Sequence, residues 1–209
     1  MSGPPRPGPS EGEIEMQALP VLMALRIKGR ATHATVAAAT GLPDDDVRAA
    51  LDAACARGML REVAAPPSGE APRDRVFGLT PDGQRELAAL LAAEARDDAA
   101  LAQAYDVFAT IDAELKAAIT AWQLAAADAR GGQRAALAAT GTRAAAVAGR
   151  LGGILTRYAP YARRLAAAVA ALRAGDERYA ASPRVESLHQ VWFELHEDLL
   201  LTLDRERRS

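Results

Sequence analysis

Two histidines near the end of the chain are the first candidates for chemistry. His189 and His196 lie seven residues apart in H-Q-V-W-F-E-L-H-E-D-L-L, with Phe193 between them and Glu186 a turn before. A shared metal ion fails on geometry. Seven helical residues separate the two backbones by about 10.5 Å, whereas both ring nitrogens must come within about 2 Å of one ion. Two readings stay open. The histidines can sit at the edge of a helical core, hydrogen-bonded to carboxylates such as Glu194 or Asp112. Alternatively, Trp122, His189, Trp192, Phe193 and His196 line an effector pocket, where aromatic faces and ring nitrogens give stacking and hydrogen bonds.

A second cluster, Arg157, Tyr158, Tyr161, Arg163 and Arg164, surrounds Pro160. Guanidinium forks at this density can hold an anionic group by bidentate contacts; the other reading is a solvated helix start. Cys55 is the only cysteine. It excludes an internal disulfide, fits a reducing cytoplasm, and reads as a small core residue rather than a reactive thiol. No Ser-His-Asp pattern, Gly-rich phosphate loop or paired-Cys motif appears. The expectation is therefore no enzyme, no cofactor and no metal.

These side chains need elements to hold them. The 209 residues suit one large or two small domains, and the net charge of -2 gives no global attraction to nucleic acid or anionic membrane. No apolar run reaches the roughly 18 residues of a membrane span. The first 15 residues, rich in Pro, Gly and Ser, read as a disordered tail. A first helix is expected over Met16–Lys28, and Arg30–Thr32 can add a short strand. From Ala31 to Thr80 the pattern reads as a helix-turn-helix followed by a two-stranded wing. Its turn is Thr40-Gly41-Leu42-Pro43: Gly41 supplies the positive φ that ends one helix, and Pro43 suits the start of the next. Val47, Leu51 and Ala54 recur at helical spacing. Met59–Val63 and Val76–Leu79 read as strands around the loop 64–74. Thr80 can cap a helix that begins at Pro81.

The runs V-A-A-A-T-G-L, R-G-M-L-R and F-G-L-T-P-D-G-Q-R-E-L carry a resemblance over about Leu19–Glu94. They resemble the winged-helix DNA-binding domain of MarR- and PadR-type bacterial transcription regulators. The resemblance implies an α+β winged helix over residues 16–96 and double-stranded DNA as partner. It puts Asp44, Asp45, Asp46, Arg48, Ala49 and Asp52 at the DNA-facing positions of the second helix. Aspartate is repelled by phosphate and reads only a cytosine amino group well. The phosphate contacts would fall to Arg30, Arg48, Arg57, Arg61, Arg73 and Arg75, the last two flanking the wing, where minor-groove contact would be expected.

Residues 97–209 read as an all-α bundle of four or five helices. Leu101, Phe108, Leu115 and Trp122 recur every seven residues, with Ala104, Ile111 and Ala118 at the second seam position. Such a stripe is either a buried face of the bundle or a seam between subunits. Arg130–Gln133 reads as a turn and Gln133–Tyr158 as a glycine-interrupted helix. Tyr161–Ala174 reads as another, and a last helix runs from Ser182-Pro183 to about Leu203. I-T-A-W-Q-L and the His189–Leu200 run resemble actinobacterial proteins that pair a winged helix with such a helical region, which implies a shared architecture. The expectation is a cytoplasmic, homodimeric transcription regulator with a small effector in its helical domain. Its rival is an adaptor whose winged helix meets protein and reads no DNA sequence.

Overall fold

The computed structural model describes residues 11–64, 75–94 and 99–204, with side chains from residue 17 onward. The chain is mainly α. Its described residues form nine helices and one three-stranded antiparallel sheet, in two compact units, Met1–Arg96 and Asp97–Ser209. No described helix is long and apolar enough to cross a membrane.

The first unit comprises α1 (Glu11–Lys28), β1 (Ala31–Thr32), α2 (His33–Thr40), α3 (Asp44–Ala56), β2 (Leu60–Glu62), β3 (Val76–Leu79) and α4 (Pro81–Glu94). Helix α1 starts inside the stretch read as a tail. The helix begins at Glu11, ahead of the expected start at Met16. Thr32 caps α2, its hydroxyl accepting from the Thr35 N–H at 3.2 Å. Gly41 ends α2 at φ 67°, donating its N–H to the Ala37 carbonyl at 2.8 Å. Helix α3 buries Val47, Ala50, Leu51 and Ala54, the i, i+3, i+4, i+7 pattern of one face. They join Leu22, Leu25, Val36, Phe77 and Leu87 in the core.

The sheet order is β1-β3-β2, with Ala31 opposite Phe77 and Arg61 opposite Gly78. The passage from β3 to α4 is tightly built. The Thr80 hydroxyl donates to the Gly58 carbonyl at 2.7 Å and accepts from the Gly83 N–H at 3.1 Å. A Cβ on Gly83 would lie 2.1 Å from the Met59 carbonyl oxygen, so only glycine lets the helix approach that backbone.

The second unit comprises α5 (Ala99–Leu124), α6 (Arg130–Ile154), a short 3-10 turn (Thr156–Tyr158), α7 (Ala159–Arg173), α8 (Arg178–Ala181) and α9 (Leu188–Thr202). Three boundaries differ from the sequence reading. Helix α6 starts at Arg130, so Gly131 and Gly132 lie in its first turn and not in a loop. Pro160 opens α7, where a missing N–H removes no helical bond. Helix α9 starts at Leu188, because Ser187 caps it by accepting from the Gln190 N–H at 3.2 Å.

The seven-residue stripe of α5 is internal core. Leu101, Phe108, Leu115 and Trp122 are buried against Leu137, Leu151, Leu165, Leu172 and Leu195. Two of the α6 glycines mark close packing. A Cβ on Gly141 would meet Val169 at 2.8 Å and Leu188 at 2.9 Å, and one on Gly152 would lie 2.9 Å from the Ala159 Cα.

Candidate functional site

The outward side of α3 is acidic. Asp44, Asp45 and Asp52 are exposed, with Arg48 and a half-exposed Asp46 among them. In the first turn the aspartates complement the helix dipole. Arg48 lies 3.7 Å from Asp44, one helical turn back. His33, at the start of α2, donates from Nε2 to the Asp44 carbonyl at 2.9 Å, tying α2 to the first turn of α3.

The candidate phosphate contacts divide into three groups. Arg75 is held twice: its Nε donates to Glu62 and its Nη1 to Asp52, each at 2.7 Å. Its guanidinium also stands 4.9 Å from the Phe77 ring centroid. The hydrogen bond with Asp52, then that with Glu62, raises its pKa above the usual arginine value. Arg57 faces Glu86 at 3.6 Å and Arg48 faces Asp44. Arg30 and Arg61 are exposed with no carboxylate partner among the described residues. Arg73 lies outside the described residues.

In the helical unit, the cluster around Pro160 is a buried polar centre and not a solvated helix start. The Arg157 side chain is 7% exposed and Asp198 3% exposed, and the two form an ion pair. Arg157 also donates to the Thr202 hydroxyl at 2.5 Å and the Tyr158 hydroxyl at 3.0 Å. Tyr158 donates to Thr202 at 2.9 Å, and Tyr161 donates to Asp198 at 3.0 Å. Beside them Arg164 pairs with Glu186 and donates to Glu194 at 2.5 Å, and Gln190 donates to Glu194 at 3.0 Å. Burial alone would lower the pKa of Arg164. Hydrogen bonds and charge from Glu186 and Glu194 outweigh it and hold the group well above its usual value. Arg163, by contrast, is exposed. The Arg157 and Arg164 forks thus already hold the chain's own carboxylates.

Burial and the nearby Asp198 charge push the Tyr161 phenol well above its ordinary value of 10.0. An unfolded Tyr161 ionises near pH 10, while the folded one stays protonated. The folded state then binds the extra proton, so stability is intact below about pH 10 and falls above it, by about 1.4 kcal/mol per pH unit for one such group. Tyr161→Phe is expected to flatten that fall between about pH 10 and 12, read as the urea midpoint against pH. An equally steep fall in the variant would show that Tyr161 does not govern it.

The five effector candidates are not one group. Trp192 and His196 meet around α5: Trp192 stacks on Phe108 at 4.3 Å, and its Nε1 donates to Asp112 at 3.0 Å. His196 lies 5.0 Å from the Phe108 ring and 3.9 Å from the Asp112 carboxylate, with Tyr105 at 6.4 Å. Lys116 also binds Asp112, at 2.7 Å. His189 and Phe193 lie on the exposed side of α9. Trp122 makes no ring contact with Trp192 among the described residues; its ring packs under Arg130, 4.7 Å away. Its buried Nε1 has no described hydrogen-bond partner.

The carboxylates of the polar centre escaped the sequence reading as partners of the arginines. Their signal was present: Glu194, Asp198 and Thr202 stand at i, i+4 and i+8, a polar line inside an otherwise apolar helix face. No described group of three or more His, Cys, Asp or Glu could hold a metal ion. Compared with known proteins, the chain matches no family model, no curated protein and no solved structure.

Proposed function

We propose that the protein is a cytoplasmic DNA-binding transcription regulator whose first unit is a winged helix. The observation that carries this reading is topological. Strand β1 lies between α1 and α2 and pairs with β3 on the side opposite β2, while α2, a three-residue turn and α3 precede the hairpin. That order leaves the far side of α3 in solvent, the placement a recognition helix needs. On this reading the protein acts as a homodimer whose effector meets the aromatic group of Tyr105, Phe108, Trp192 and His196. The ligand must favour one of two dimer arrangements to change affinity for DNA. The α5 stripe, being core, is not the dimer surface.

A second reading, a winged helix reused for protein contact, is favoured by the carboxylates around Arg75. Exposed ion pairs are screened by water and contribute little, so Arg48, Arg57 and Arg75 can exchange carboxylate for phosphate at little cost. Each exchange, however, leaves a carboxylate facing the DNA. The deciding experiment selects genomic DNA fragments on the full chain at two salt concentrations. A regulator enriches fragments sharing a two-fold sequence whose half-sites lie about 34 Å apart, and the enrichment survives the higher salt. Weak binding that vanishes with salt and prefers no sequence would leave the adaptor.

A further inference from the structure

Charge is segregated in the helical unit. From Arg130 to Arg173, the span of α6, the 3-10 turn and α7, the sequence holds eight arginines, no lysine and no aspartate or glutamate. The chain as a whole has slightly more acidic than basic residues. Four of the eight arginines find carboxylates on other segments: Arg130 on Glu177, Arg143 on Glu114, Arg157 on Asp198, and Arg164 on Glu186 and Glu194. The other four, Arg134, Arg150, Arg163 and Arg173, have no carboxylate partner among the described residues. Arg150, Arg163 and Arg173 are exposed, and Arg134 is half-buried.

These groups stand on an unusual surface. Every exposed position of α6 and α7 is Ala, Gly, Thr or Arg. Arg173 reaches from α7 to the exposed Thr142 hydroxyl of α6 at 3.0 Å, so the two outward faces adjoin. The result is a low-relief face on which the guanidinium groups are the only long side chains.

We propose that this face binds the phosphate backbone of double-stranded DNA without reading its sequence. Three features favour that partner. Guanidinium forks match phosphate oxygens bidentately. Flat Ala and Gly surroundings let a broad polyanion approach. Arg163 and Arg173, ten residues apart, are separated by about 15 Å along α7, and a duplex carries one charge per about 1.7 Å of axis. An anionic membrane or an acidic protein fits less well. Both draw on apolar anchors, and the exposed large apolar residues Val107, Leu124 and Phe193 lie on neither helix. The proposal rests on the reading of the chain as DNA-binding, and deepens it. It adds phosphate neutralisation away from the acidic α3 face, which keeps the role of choosing sequence.

The test compares the full chain with Arg150→Ala/Arg163→Ala/Arg173→Ala and with the matching triple Lys variant. Binding to a random-sequence duplex is measured from low to moderate salt, and fragment selection is repeated on each protein. Circular dichroism checks that the exposed substitutions leave the fold intact. The Ala variant is expected to lose tenfold or more in affinity for random duplex, and its log–log salt slope is expected to fall by about two to three. The Lys variant should keep most of the slope. The ranking of any selected fragments should be unchanged. Selection by the wild type with the same salt slope in the Ala variant would overturn this proposal and leave the regulator intact. Random-duplex binding lost in the Ala variant, with no fragment ever selected, would support the face and sink the sequence-reading regulator. A wild type that binds no duplex at any salt would end both.

Discussion

Replacing Arg157 by methionine is expected to remove about 3–5 kcal/mol from the stability of the helical unit. The substitution keeps the aliphatic stem but takes away a guanidinium that serves Asp198, Thr202 and Tyr158 together. Asp198 is then left 3% exposed, with Tyr161 still donating to it but no countercharge beside it. An uncompensated buried carboxylate costs far more than the intact pair contributes. The double variant Arg157→Met/Asp198→Leu should therefore recover much of the loss, because an apolar pair removes the stranded charge. Both tryptophans, Trp122 and Trp192, belong to this unit, so their fluorescence in a urea titration reports its unfolding without interference from the first unit. A single-variant loss below about 1 kcal/mol would mean that water reaches Asp198 and the centre is not sealed.

The second large effect is that of Phe108→Lys with Leu115→Lys, which should leave the helical unit unfolded at 25 °C. The two positions are 0% and 1% exposed. Truncating such residues to alanine already costs about 2–5 kcal/mol each, and lysine adds a charge that must leave water. The sum is comparable with the whole stability of a typical domain, about 5–15 kcal/mol. Val107→Lys on the same helix is the control. Val107 is 44% exposed, and its replacement should change stability by less than about 0.5 kcal/mol. A double variant that stays folded and becomes monomeric would reverse the assignment, making the stripe a contact between subunits.

What could be read from the sequence was what is local. The positive φ of Gly41, the Thr80 cap, the apolar face of α3 and the α5 stripe each depend on residues within a turn or two. Periodicity showed that Phe108 and Leu115 must be covered, but not what covers them, since a partner helix in the same chain and one in another chain write the same pattern. The polar centre was hidden for a related reason. Arg157 and Asp198 are distant in sequence and meet only when the 3-10 turn ahead of α7 is brought against α9. Read alone, Arg157, Arg163 and Arg164 look equivalent, yet the fold buries the first and last and exposes the middle one. Helix starts failed where a weak local signal was outweighed: Gly131 and Gly132 resemble a turn, and Ser182-Pro183 resembles a helix start, but Ser187 supplies the cap.

The register of the small sheet has a consequence for the order of folding. Ala31 pairs with Phe77, so β1 must wait for a strand that leaves the ribosome 46 residues later. Closing so long a loop delays the contact that rewards it. Helices α5, α6 and α7 instead follow one another with short connections and pack on their sequence neighbours. Although it is synthesised second, the helical unit therefore has the lower contact order. In refolding from denaturant its tryptophan signal should return before amide protection appears in β1 and β3, with the amino-terminal sheet the slow step of the whole chain.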